Sequence, residues 1–268
     1  MGQLSNYLVV SALITLVGAF GFYVAFTATK RKDLGQYASL VAYLGYAFLS
    51  GAIVTRWVAD GHAPYSNQYE FAVAFSWGIM TAFVYVERQF RSRALGAFVT
   101  PVPVGLLLYA RSLPDQVSPL IPALQNNLLL TVHVAMAVIA YGSFAVACGG
   151  AVMYLVQRND KVRWLPFRQD IDLLCYRAVI LGFPCMFLVL VLGAAWGNIA
   201  WGRYWGFDPK ETAALTTWLI YAGYLHAHSL KSWRGTRSSV LLLVGFGATL
   251  FTYYGNLFLG GLHAYSGL

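Results

Sequence analysis

Charge is what this chain has least of. Only 10% of its 268 residues are Asp, Glu, Lys or Arg, where soluble domains carry about 25%. That deficit excludes an ordinary soluble globule. With 59% hydrophobic residues and a mean hydropathy of +0.60, the chain reads as a polytopic membrane protein. Cysteine is as scarce. Cys148, Cys175 and Cys185 lie within or at the edges of apolar runs, with no C-x-x-C pair and no histidine at metal spacing. A thiol metal centre is thereby excluded, and buried free thiols that say little about redox compartment are left. Repeats, low-complexity tracts and an interrupting soluble domain are missing too. The first apolar run, from about Tyr7, lacks a basic segment before it and is long enough to span, so it is read as a membrane helix and not a cleavable leader.

The net charge of +8 invites a nucleic-acid reading, but its distribution rejects one. Lys30, Arg31 and Lys32, then Arg88, Arg91 and Arg93, then Arg158, Lys161, Arg163, Arg168 and Arg177, then Lys231, Arg234 and Arg237 fall in alternate loops. Only Arg56, Arg111, Arg203 and Lys210 fall between them. Membrane topology alone produces this alternation. At roughly 20 apolar residues per crossing, eight helical spans are expected near 6–28, 36–58, 70–87, 94–110, 127–156, 173–196, 213–230 and 239–261. Pro101 and Pro103 interrupt the fourth. The fold class is therefore an all-α helical bundle, a single transmembrane domain over 1–268. The positive-inside rule makes the basic loops cytoplasmic and puts both termini on the outer side. Segment 157–172, which mixes Arg, Asp, Trp164 and Pro166, is read as a short interfacial anchor.

Where polarity does concentrate, it keeps unusual company. Between spans six and seven run Trp196, Trp201, Tyr204, Trp205 and Phe207, interleaved with Gly197, Gly202 and Gly206 and followed by Asp208-Pro-Lys-Glu211. Topology puts this Trp-rich loop (197–212) on the outer face. His133 comes about six residues into span five, within about 10 Å of the same face at 1.5 Å per residue. His263 follows span eight on that side. Two histidines from separate helices thus bracket an aromatic loop, an arrangement suited to a flat, metal-centred apolar cofactor. Imidazole ligates iron, indole faces stack on a macrocycle, and glycine admits close backbone approach. Arg203 and Lys210 are placed to pair with carboxylates on such a cofactor, unless Asp208 and Glu211 neutralise them. Asp208 also reads as the N-cap of span seven, with Pro209 at its first helical position.

His226 and His228 lie about 20 Å deeper along span seven. Two residues apart on a helix they point about 200° apart and cannot share one iron. One faces the bundle interior as a candidate ligand, the other the interface. His62, in an outer loop with Pro64 and Asn67, is read as a loop residue.

These residues resemble the haem-handling protein superfamily, and most closely the CcsA/ResC-type subunit of the System II cytochrome c synthase. The match rests on Trp196, the Trp201-Gly-x-Tyr-Trp205 core, Asp208-Pro-Lys-Glu211-Thr, the Trp218-Leu-Ile-Tyr-x-x-Tyr-Leu-His226 run, and Asn256…Gly261-Leu-His263-x-Tyr265. It covers roughly 125–268. The family pattern usually has Trp immediately before the Asp; here Phe207 keeps a stacking face but lacks the indole N–H.

The resemblance implies that haem b, in its reduced form, enters from the cytoplasmic side. His226 would be one axial ligand within the bilayer, with the second from a partner membrane subunit of the CcsB/ResB type. Haem would then reach an outer site between His133 and His263, cradled by the loop. There it would be presented to the Cys-x-x-Cys-His motif of an apocytochrome c for thioether formation. The implied location is a bacterial cytoplasmic (inner) membrane or a plastid thylakoid membrane, with the lipid bilayer and no nucleic acid among the partners. Two rival readings are a System I-like subunit that loads a haem chaperone and a multi-pass transporter without haem chemistry. A Soret band in the purified protein separates the last from the others.

Overall fold

The computed structural model describes residues 2–116, 127–157 and 159–259. Among them every regular element is helical: α1 (Gly2–Thr29), α2 (Lys32–Asp60), α3 (Gln68–Phe90), α4 (Gly96–Val99), α5 (Pro101–Arg111), α6 (Asn127–Val156), α7 (Arg168–Trp201), α8 (Pro209–Ser229) and α9 (Thr236–Leu259), with short 3-10 turns before α4 and after α8. Counting Arg93–Arg111 as one, seven stretches among the described residues are long and apolar enough to cross a membrane, so the expected all-α membrane bundle is the observed fold. The eighth, α8, has 21 residues but falls short in apolarity, because Thr212, Thr216, Thr217, Tyr221, Tyr224 and two histidines dilute it.

The broken fourth span shows the prolines at work. Pro101 opens α5 at its first helical position, and α4 ends just before it. Thr100 joins the two, its backbone N–H and its hydroxyl both donating to Gly96 O, at 3.0 and 2.7 Å. At the other extreme, α7 runs 34 residues, about 50 Å, and outreaches a hydrocarbon core of about 30 Å. It absorbs the last part of the segment expected at the interface. Residues 162–166 of that segment wrap the buried Gln157, whose amide bonds the main chain at Val162 and Pro166.

Packing follows the inward stripes. On α1, Ser5, Val9, Ala12, Leu16, Ala19 and Tyr23 recur at three- and four-residue steps and are all buried, which is helical periodicity with lipid on the other side. Helices α3 and α6 are the enclosed pair, with 67% and 61% of their apolar stretches buried against 28% for α1 and α7. They meet backbone to backbone. A Cβ at Gly142 would run into the main chain of Gly78, and one at Gly78 into the carbonyl of Val138. Small residues let membrane helices approach this closely, where dispersion and not the hydrophobic effect supplies the attraction. Gly142→Leu is therefore expected to eliminate monodisperse protein on size exclusion. Gly105→Leu, where an added Cβ meets nothing within 4 Å, is expected to leave it intact.

At one end of the bundle, the Trp-rich end, the start of α3, the first turns of α6, the end of α7, the start of α8 and the last turns of α9 converge. The basic loops gather at the other end. All three cysteines are free, Cys175 buried and the other two partly so.

Candidate functional site: an aromatic chamber at the Trp-rich end

The helix ends surround a partly open cavity of about 290 Å³. Ligand pockets run upward from about 300 Å³. His133, one turn and a half into α6, lines it, as do Trp196 from α7 and Trp205 from the following loop. Opposite His133 stands Gly193. A Cβ there would lie 2.9 Å from His133 Cε1, so the space occupied by the imidazole exists because this residue has no side chain.

The aromatic stretch divides at the helix boundary. Glycine composition suggested a loop from 197, yet α7 continues to Trp201. Gly202 ends it in the left-handed conformation at φ 71°, its N–H donating to Asn198 O, as helix C-termini require. Trp196 is buried and meets the partly buried Trp201 edge-on, centroids 4.7 Å apart at 74°. The loop proper is 202–208. In it Trp205 is partly buried against the cavity, while Tyr204 and Phe207 are 64% and 79% exposed. Trp205 and Phe207 are perpendicular at 6.1 Å. Arg203 is exposed and its guanidinium lies over Gly206.

Phe207 has φ 53°, a conformation that bulky residues seldom hold without surrounding constraint. The constraint is the cap of α8. Glu211 Oε2 accepts from Gly206 N at 2.8 Å and Asp208 N at 3.1 Å, pinning both neighbours of Phe207. Asp208, buried, caps the helix in a reciprocal capping box with Glu211, and Pro209 opens it, the structural role its sequence pattern announced. Both carboxylates next to the loop cations are thereby engaged with main-chain donors.

The remaining histidines separate. On α8 the stripe Thr217, Tyr221, Tyr224 and His228 turns inward, and His226 is exposed on the other side. His228 Nε2 lies 2.9 Å from Asp172 Oδ2, and its ring stacks on Tyr176 at 4.6 Å. His62 is buried, with Nδ1 3.0 Å from Ala63 O. His263 lies outside the described residues. So does the segment 117–126, which precedes α6.

Sequence reasoning missed the contribution of α3. Ser66, Asn67 and Gln68 at its start, with Phe71 and Phe75, form one wall of the cavity, and Tyr141 of α6 and Tyr253 of α9 lie deeper. The Asn67 cap was the one available signal: its side chain accepts from Glu70 N, marking a helix start beside the loop.

Fold and site together define a polytopic integral membrane protein with a histidine-bearing aromatic chamber at one end of its bundle. Comparison with known proteins gives the family. The cytochrome c assembly protein family matches residues 65–263. The cytochrome c biogenesis protein CcsA of Guillardia theta is 32% identical over 97% of this chain and 95% of its own length; that of Synechococcus elongatus is 33% identical over 90% of each. In solved structures, the cytochrome c haem lyase CcmF superposes with a TM-score of 0.74 at 18% identity, over 94% of this chain and 46% of that one, a likeness of fold. The chain belongs to the cytochrome c assembly family, among its CcsA-type cytochrome c biogenesis proteins.

Proposed function

We propose that this protein carries haem b to its outer face and holds it in the aromatic chamber for covalent attachment to apocytochrome c. One observation carries the reading: in a chain of the cytochrome c assembly family, His133, Trp196 and Trp205 from three separate segments line one cavity. Imidazole supplies an axial ligand, the indoles supply apolar faces for a macrocycle, and Gly193 leaves room for the ring. The chamber is partly open, as it must be if a second protein is to reach the bound group. His263 is the proposed second outer ligand. Attachment is addition of each cysteine thiol across a haem vinyl group: the S–H bond breaks, an S–C bond forms, and the hydrogen goes to the other vinyl carbon. Haem is the substrate and is consumed as reduced haem.

His226 supports a deeper site completed by a partner. It shares the outward face of α8 with Thr212, Thr216, Leu219 and Gly223. An added Cβ at Gly223 meets nothing within 4 Å, so nothing among the described residues requires that glycine. Small and polar residues on the lipid side of a membrane helix suit contact with another helix, here one from a CcsB/ResB-type subunit that adds the second ligand. The membrane is a bacterial cytoplasmic or a thylakoid one, in keeping with relatives from an alga and a cyanobacterium.

The test is an absorption spectrum of the purified protein loaded with haem, with holocytochrome c yield measured alongside. A low-spin bis-histidine Soret spectrum is expected; a protein that binds no haem and still supports maturation would sink the proposal. Gly193→Val is expected to push His133 aside and convert part of that spectrum to high-spin, while the helical content of the protein by circular dichroism is unchanged.

A further inference from the structure

Lys210 sits where a lysine is locally unfavourable. It is the second residue of α8, within the first turn, where the helix dipole favours anions and opposes a cation. It is only partly exposed, and its ammonium lies 5.7 Å from the centre of the Phe71 ring. It lines the chamber yet makes no ion pair among the described residues. The acids beside it are engaged elsewhere, Glu211 on the amides of Gly206 and Asp208, and Asp208 on the amide of Lys210 itself. A position that breaks a local rule is where function is expected. A cation turned into a cavity, with no carboxylate among the described residues within ion-pair distance, calls for an anionic ligand.

The cavity wall is asymmetric around it. Lys210 shares the α3–α8 corner with Asn67, Gln68 and Glu211, whose carboxylate is held by the amides of Gly206 and Asp208, whereas Leu130, Val134, Val189 and Leu190 are the apolar lining contributed by α6 and α7. Arg203, the other cation of the loop, is exposed and lies over Gly206.

We infer that Lys210 anchors the carboxylates of the chamber's ligand and so sets which edge of the porphyrin points inward. The inference rests on the haem reading above and deepens it. In protoporphyrin the two propionates lie on one edge and the reactive vinyl groups on the remainder of the rim. Holding the propionates at the α3–α8 corner leaves the vinyl groups on the side away from it, unencumbered by the ion pair. Lys210 is then a specificity-determining residue: it selects a dicarboxylate porphyrin and presents it in one orientation.

Haemin and haemin dimethyl ester, which lacks the carboxylates, separate this idea from the haem reading itself. Each is titrated into the full-length protein in detergent and followed at the Soret band. The wild type is expected to bind haemin about tenfold more tightly than the diester, the worth of one charge-assisted contact. Lys210→Gln is expected to lose that preference by weakening haemin alone, with diester affinity and the axial-ligand spectrum unchanged. Lys210→Arg is expected to keep it. A wild type that binds both porphyrins equally overturns the inference and leaves the haem reading standing, and so does a preference that survives in Lys210→Gln, vanishes in Lys210→Arg, or depends on Arg203 instead. A wild type that binds neither porphyrin overturns both.

Discussion

Replacing His133 by alanine is expected to abolish the low-spin spectrum of the outer site and to lower holocytochrome c yield by about 100-fold or more, since even partners that merely support a metal-ligating histidine are worth about 10–100-fold. The expectation rests on placement. His133 lines the chamber from α6 together with Trp196 and the residues of α3, and Gly193 has no side chain where one would strike it. Removing the imidazole leaves the aromatic walls in place, so the protein should still fold and should retain weak, high-spin haem binding. Added imidazole should restore part of the yield, because the site would lack a ligand and nothing else. Wild-type maturation by His133→Ala, alone and combined with His263→Ala, rules the outer site out.

Arg56→Ala is expected to destabilise the protein by about 3–5 kcal/mol, the cost of leaving a buried charge cluster without its counter-charge. Arg56 is 3% exposed and Glu70 2%. The guanidinium gives Nε and Nη2 to Glu70 Oε1 at 3.1 and 3.0 Å, lies 2.9 Å from Asp60 Oδ2, and donates to the carbonyls of Asp115 and Gln116 at 2.8 and 3.1 Å. One side chain thus ties the end of α2, the start of α3 and the chain leaving α5. Glu70 in turn accepts from the amide and hydroxyl of Ser66, at the edge of the chamber. Loss of Arg56 should therefore lower both the melting temperature in detergent and haem affinity. Arg56→Lys should recover only part of each, since an ammonium cannot reproduce a fork that serves several acceptors. An unchanged melting temperature in Arg56→Ala would show that the cluster does not hold this end together.

Much of this was legible in the residues. The apolar runs specified an all-helical bundle, because continuous runs of about 20 apolar residues fit a helical crossing, in which every backbone group is satisfied within the segment. Pro101 and Pro103 marked the break in the fourth span, and Asp208-Pro-Lys-Glu211 announced a capped helix start through purely local chemistry. Other features were illegible for a definite reason. Gly197 and Gly202 both looked like loop residues, but only Gly202 has a positive φ; at Gly197 tertiary packing outweighs the roughly 1 kcal/mol that glycine costs a helix. Spacing showed that His226 and His228 point apart, yet which one faces inward depends on how α8 is rotated against α7 and α9. That rotation is set by the burial of Thr217, Tyr221 and Tyr224 and by the His228–Asp172 contact, between residues 56 apart in sequence.

What the sequence determined by itself was therefore everything written within a single helix or turn: the spans, the proline break, the cap of α8, and the concentration of aromatic and cationic residues around 196–211. These depend on periodicity and on contacts a few residues apart. What only the tertiary structure decided was which residues share a space. The union of His133 with Gly193, the wall contributed by Ser66–Phe75 of α3, the Arg56 cluster and the placement of Lys210 over Phe71 all arise between helices distant in sequence. The hydrophobic pattern specifies that helices pack, and shape decides which side chains meet.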